Sequence, residues 1–193
     1  MDPCWNIESP VVARFKYGRM GPNNDDNFID AMALERWAIP ATPREARSPP
    51  NTWTGAVPFA YINPPYRPVT ASNRNIRLTA PFIDRLLSEM DKGHVKSAIV
   101  ILPFNPLIRS IRKLLDAGAL TCILTERIEF ILSLHDAEKA GREDHNRTCR
   151  PIFPMGLFYL EKPNHTKAND FVRIFEHYGY IPGVNLASYE GEL

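Results

Sequence analysis

The chain has 193 residues, enough for one domain with a sizeable core and too few for two typical ones. Hydrophobic residues at 44% and charged residues at 23% are ordinary for a globular protein and exclude a disordered or fibrous chain. A formal net charge of +1 excludes nucleic-acid binding through global charge, so any such surface has to be a local patch.

No apolar run approaches the length of a membrane span, and none has the layout of a signal peptide. Cys4, Cys122 and Cys149 are odd in number and lack metal-ligand spacing. They predict free thiols in a reducing, intracellular and cytoplasmic setting. No internal repeat and no linker divides the chain, so a single domain is expected over 1–193, with a loose tail after Pro182.

Taken in order, Ile7 to Tyr17 accommodates one strand or helix, and Gly21 to Asn27 is a strong turn signal. Asp25 and Asp26 serve that turn better than they would serve a ribose hydroxyl. Phe28 to Ala38 reads as a short helix capped by Asp26 or Asn27, and Ala41 to Thr52, with three prolines, as a loop. Val57 to Ile62 is a short buried strand that ends abruptly at Asn63-Pro64-Pro65-Tyr66.

Neither proline has a backbone N–H, and each pushes the residue before it towards an extended conformation. The tetrapeptide is therefore a stiff tip at the carboxyl end of a strand, where open α/β sheets place their ligands. Its Asn63 side-chain oxygen and Pro64 carbonyl are adjacent acceptors suited to the two N–H groups of a planar exocyclic amine, such as N6 of adenine. Tyr66 can stack on the ring. Accepting both N–H groups raises the electron density on nitrogen for attack.

Arg67 to Arg77 follows, with Arg67, Arg74 and Arg77 among small polar residues. It is the most DNA-like local patch, and otherwise a solvated loop. Thr79 to Met90 is an amphipathic helix with Pro81 in its first turn, an apolar stripe of Phe82, Ile83, Leu86, Leu87 and Met90, and Gly93 at its end. Ser97 to Leu102 is a fully buried strand stopped by Pro103. Asn105-Pro106 opens a helix over Leu107 to Ala117, with Arg109, Arg112 and Lys113 as a solvated face. Leu120 to Leu124 and Ile128 to Leu132 are short strands, and the alternation predicts a parallel α/β sheet.

His135 to Arg150 is dense in charge. Its His135, Asp136, Asp144 and His145 lack compact ligand spacing and read as a surface loop, with no metal expected. Met155 to Leu160 is a further strand. A last helix from Asn169 or Asp170 carries Phe171, Ile174, Phe175 and Tyr178 as a core stripe and closes at Gly179.

Asn63-Pro64-Pro65-Tyr66 resembles motif IV of the amino-methyltransferases, and its surroundings resemble the phage-type, Dam-related DNA N6-adenine methyltransferases. Asp2-Pro3-Cys4 is similar to the family's cofactor-site motif. Trp53-Thr54-Gly55 matches its W-[ST]-G, and Arg127-Ile128-Glu129-Phe130-Ile131 its R-I-x-F strand. Pro151-Ile152-Phe153-Pro154 precedes a hydrophobic strand and a late helix with paired phenylalanines. The resemblance covers roughly residues 2 to 181 in the family's order.

The resemblance implies a Rossmann-like, S-adenosylmethionine-dependent methyltransferase sheet with flanking helices. In the family Asp-Pro-Cys follows a first hydrophobic strand. Here it starts one residue after Met1, so that strand is expected to be missing, through truncation or a late start, and Trp5 replaces a small residue. The implied mechanism flips the target adenine from duplex DNA and stacks it on Tyr66. Asn63 and Pro64 hold its amino group for in-line attack on the cofactor's methyl, without a metal. Asp2, with Pro3 and Cys4, would hold the cofactor, and Arg67, Arg74 and Arg77 the DNA. Related motifs also act on RNA adenine, cytosine N4 or protein glutamine. The alternative is a truncated or degenerate, non-catalytic relative that keeps the fold, with or without DNA binding.

Overall fold

The computed structural model describes residues 32, 34–64, 69–71, 74–76, 79–126, 128, 130–131, 141, 148–149, 153–162 and 167–183. In chain order these form β1 (Ala60–Ile62), β2 (Val69–Ala71), β3 (Arg74–Ile76), α1 (Thr79–Asp91), β4 (Ser97–Pro103), α2 (Arg109–Asp116) and β5 (Leu120–Leu124). Then come β6 (Phe130–Ile131), β7 (Thr148–Cys149), β8 (Met155–Glu161), α3 (Ala168–Phe175) and β9 (Gly179–Tyr180).

The main sheet has five strands in the order β1-β4-β8-β5-β9. Strand β1 is parallel to β4, whereas β8 is antiparallel to both β4 and β5, and β9 is antiparallel to β5. The expected parallel sheet is therefore corrected to a mixed one, whose order is not that of a typical Rossmann sheet. Helices α1 and α2 bring β4 and β5 back in the same direction. Strand β8 instead follows the 125–154 connection and returns between them reversed, an arrangement that needs no helical crossover.

Side chains alternate across the sheet into two cores. Ala60, Ile62, Val100, Leu102, Phe158 and Leu160 pack with Phe82, Ile83 and Leu86 of α1 and Ile111 and Leu114 of α2. On the other face Ile101, Cys122, Leu157 and Tyr159 pack with Phe171 and Val172 of α3. Both faces of β4 and β8 are thus covered, which is why those strands read as unbroken apolar runs.

Helix α1 has its expected bounds to within a residue. Gly93 (φ +73°) reverses the chain, its N–H donating to Met90 O and that of His94 to Glu89 O. Other boundaries shift. Pro58 cannot donate to a ladder, so Val57 makes only an isolated bridge to Val95 and β1 begins at Ala60. Asn105 Oδ1 accepts the Leu107 N–H at 3.0 Å, an Asx turn that delays α2 to Arg109 and leaves Leu107 87% exposed. Of the expected Ile128 to Leu132 strand, Phe130–Ile131 forms β6, paired with β7.

Gly179 does not cap the last helix, which ends at Phe175. It pairs with Leu124 in β9, where a Cβ would lie 2.3 Å from Ile123 O. In the late aromatic stripe Phe171 is buried, whereas Ile174 and Tyr178 are exposed, and Val172 takes the second core position.

Residues 34–38 are not helical. Their backbone groups are taken by side chains from elsewhere. The Trp37 N–H donates to Glu89 Oε2 at 2.9 Å, and Arg85 donates to the carbonyls of Leu34 and Glu35 at 2.7 and 2.9 Å. A local i→i−4 ladder would have to compete with these bonds. The tail beyond residue 183, the 21–27 turn and most of the 132–147 segment lie outside the described residues.

Candidate functional site at the carboxyl edge of the sheet

Ile62 pairs with Val100, and β4 runs three residues further, to Pro103. Asn63 and Pro64 therefore leave β1 at the edge where β4 also ends, alongside a neighbouring strand that continues past them. Asn63 is half-buried and Pro64 buried, so the pair is recessed rather than projecting. The rest of this edge is built from β4 and β8. The Phe104 N–H donates to Pro154 O at 2.7 Å, and the Phe104 ring stacks on Phe158 with centroids 6.3 Å apart. Phe153 next to Pro154 is 63% exposed.

The segment before β1 is a strap tied by its own polar groups. Gly55 bridges Ile39 through paired backbone bonds of 2.9 Å, and a Cβ on Gly55 would lie 2.7 Å from Ile39 O. Trp53 is buried, and its Nε1 donates to Glu45 O at 2.7 Å and to Ser48 O at 3.0 Å. Arg36 donates to Trp53 O through Nε and Nη2 at 3.0 and 2.7 Å.

The Glu45 carboxylate accepts from Ala41 N, Thr54 N and Thr54 Oγ1 at 2.9, 2.9 and 2.7 Å. The Ala41 bond, then those from Thr54, hold its pKa below the usual carboxylate value. The expected 41–52 loop thus contains two 3₁₀ turns, Glu45–Arg47 and Pro50–Thr52. Thr54 and Gly55 serve to fasten the chain as it enters β1.

Of the other residues singled out in the sequence, Asp2, Pro3, Cys4, Pro65, Tyr66, Arg67 and Arg77 lie outside the described residues. Arg74 opens β3, opposite Ala71 in an antiparallel hairpin with β2. The expected loop is in this part a two-stranded ribbon. Among the described residues no group of three or more His, Cys, Asp or Glu side chains is placed to hold a metal. His135, Asp136, Asp144 and His145 lie outside them. No helix of the described residues is long and apolar enough to cross a membrane.

One polar centre goes beyond the sequence reading. Glu89 on α1 is fully buried, with its Oε1 2.8 Å from Arg85 Nε and its Oε2 2.8 Å from His94 Nδ1. Its signal is in the sequence, because Glu89 falls at i+3 from Leu86 and i+7 from Phe82, within the apolar stripe. It lies at the far end of α1 from the Asn63 edge and fastens the strap, so its role is architectural.

The chemistry available at the Asn63 edge is that of acceptors. A carboxamide oxygen and the carbonyl of the proline that follows it suit an N–H-bearing ligand. The buried Cys122 thiol, pushed up by burial, is on the other face and is no nucleophile for this edge. Comparison with family models, with curated proteins and with solved structures finds no match for the chain.

Proposed function

We propose that the chain is an S-adenosylmethionine-dependent methyltransferase that transfers a methyl group to N6 of adenine in DNA. The observation that carries this reading is the position of Asn63-Pro64 immediately past the carboxyl end of β1, beside the parallel strand β4. In open α/β sheets that edge is where ligands bind. The motif resemblance supplies the identity of the ligand, and it extends the α/β fold to a methyltransferase sheet.

Asn63 Oδ1 and the Pro64 carbonyl would accept the two N–H groups of the flipped adenine. Held this way, N6 keeps its lone pair pointed away from both acceptors. Pro64 is buried, and an acceptor shielded from water makes the stronger bond. Proline stiffness means that no reorganisation is needed as the reaction proceeds. Pro65 belongs to the same motif, and the resemblance assigns Tyr66 to stacking on the base. S-adenosylmethionine, when bound, supplies the activated methyl group, and Asp2, Pro3 and Cys4 are the residues the motif assigns to holding it.

Calorimetric titration of the chain with S-adenosylmethionine tests the reading. Saturable one-to-one binding is expected. No binding by a chain shown to be folded would overturn it in favour of a non-catalytic relative.

A further inference from the structure

Helix α2 leaves the same carboxyl edge as Asn63, since β1 and β4 are parallel and α2 follows β4. Its first residue is Arg109, and Arg112 and Lys113 follow at i+3 and i+4, so the three share a face. With Leu107 and Asp116 they line an open depression of about 430 Å³. Lys113 forms an ion pair with Asp84 of α1 and is compensated. Arg109 and Arg112 are exposed, and neither pairs with a carboxylate among the described residues.

Arg109 opens the helix against its dipole, and the Ile108 N-cap provides no side-chain bond to offset it; Arg112 stands one turn on, and Asp116 is the carboxylate lining the depression with them. An anion in the depression would satisfy both arginines. Guanidinium side chains engage phosphate oxygens in a forked geometry that lysine does not reproduce. The depression is too open to enclose a small anion, which favours a chain of phosphates running across it.

We propose that Arg109 and Arg112 bind the phosphate backbone of the DNA duplex, separately from the arginines around β2 and β3. The proposal rests on the function inferred above, because it takes the duplex to be anchored by a base at Asn63. Arg109 lies six positions after Pro103, a reach of at most about 22 Å from the end of β4. Phosphates recur about every 3.4 Å of axis along each strand, so that reach from the end of β4 spans about six of them. Leu107, at the lip, offers apolar surface to the sugars.

The test is fluorescence anisotropy of a labelled adenine-containing duplex over a range of salt, comparing wild type with Arg109→Gln/Arg112→Gln. Both positions are exposed, so the variant keeps its fold, which circular dichroism checks. The expected result is a loss of roughly tenfold or more in affinity. The slope of log affinity against log salt should fall by about 1.8, about 0.9 for each phosphate that is no longer neutralised. That outcome supports the proposal whether or not methyl transfer occurs. Unchanged affinity and slope in the double variant would overturn it while S-adenosylmethionine binding and methyl transfer by the wild type kept the Asn63 reading in place. Absence of duplex binding by the wild type would also overturn it.

Discussion

Tyr159 on β8 carries its ring against Phe171 of α3, with centroids 5.6 Å apart, in the core opposite α1. Burial first, and then the nearby Glu161 and Asp170 carboxylates, push its phenol from 10.0 up to about 12. A raised acid pKa fixes the sign of the pH effect. Below the unfolded value both states are neutral and the packing contribution is intact. Above it the unfolded chain ionises first, so stability falls as pH rises through the folded value of about 12. The loss is at most about 3 kcal/mol. Tyr159→Phe removes this titration, and urea midpoints measured over that alkaline window should fall less steeply than in wild type. Parallel declines would show that the phenol is not protected by the fold.

Among the elements, the strap of residues 34–55 and helix α1 depend on one another through Glu89. Its carboxylate takes the Trp37 N–H, Arg85 and His94, and Arg85 in turn holds the carbonyls of Leu34 and Glu35. Truncating one member of a buried charged network leaves the others desolvated and unpaired. Glu89→Ala is therefore expected to cost about 3–5 kcal/mol in chemical denaturation, and Glu89→Gln less, since an amide oxygen still accepts from Trp37. A loss below about 1 kcal/mol for the alanine variant would mean the network is not a fastening.

This coupling also explains what the sequence conceals. Helix α1 and strands β4 and β5 are legible because apolar periodicity and Gly93 are local signals. Residues 34–38 read as the end of a helix because their bonds come from side chains some fifty residues away. Strand β8 is legible as a strand but not in its direction, since an apolar run buried on both faces carries no mark of orientation. Asn63-Pro64 stands out because a proline constrains its neighbours without help from the fold.

For the molecule as a whole, the mixed sheet separates two tasks. The amino edge, where α1 ends shortly before His94, is fastened through the buried Glu89 carboxylate. The carboxyl edge of β1 and β4 presents Asn63-Pro64, with exposed Phe153 and Leu107 and the α2 arginines beyond. Rigid elements thus present acceptors and cations at the same edge. That arrangement suits a substrate that brings an amine and a phosphate chain together.

The central claim is that Asn63 holds the amine that receives the methyl group. The measurement that tests it most directly is transfer of labelled methyl from S-adenosylmethionine to adenine-containing duplex DNA, with wild type and Asn63→Ala side by side and cofactor binding measured on both. The account predicts N6-methyladenine from the wild type. In Asn63→Ala it predicts a loss of roughly a hundredfold or more in rate, with cofactor affinity largely kept. Near-wild-type turnover in the variant, or no transfer by a wild-type chain that binds the cofactor, would contradict it.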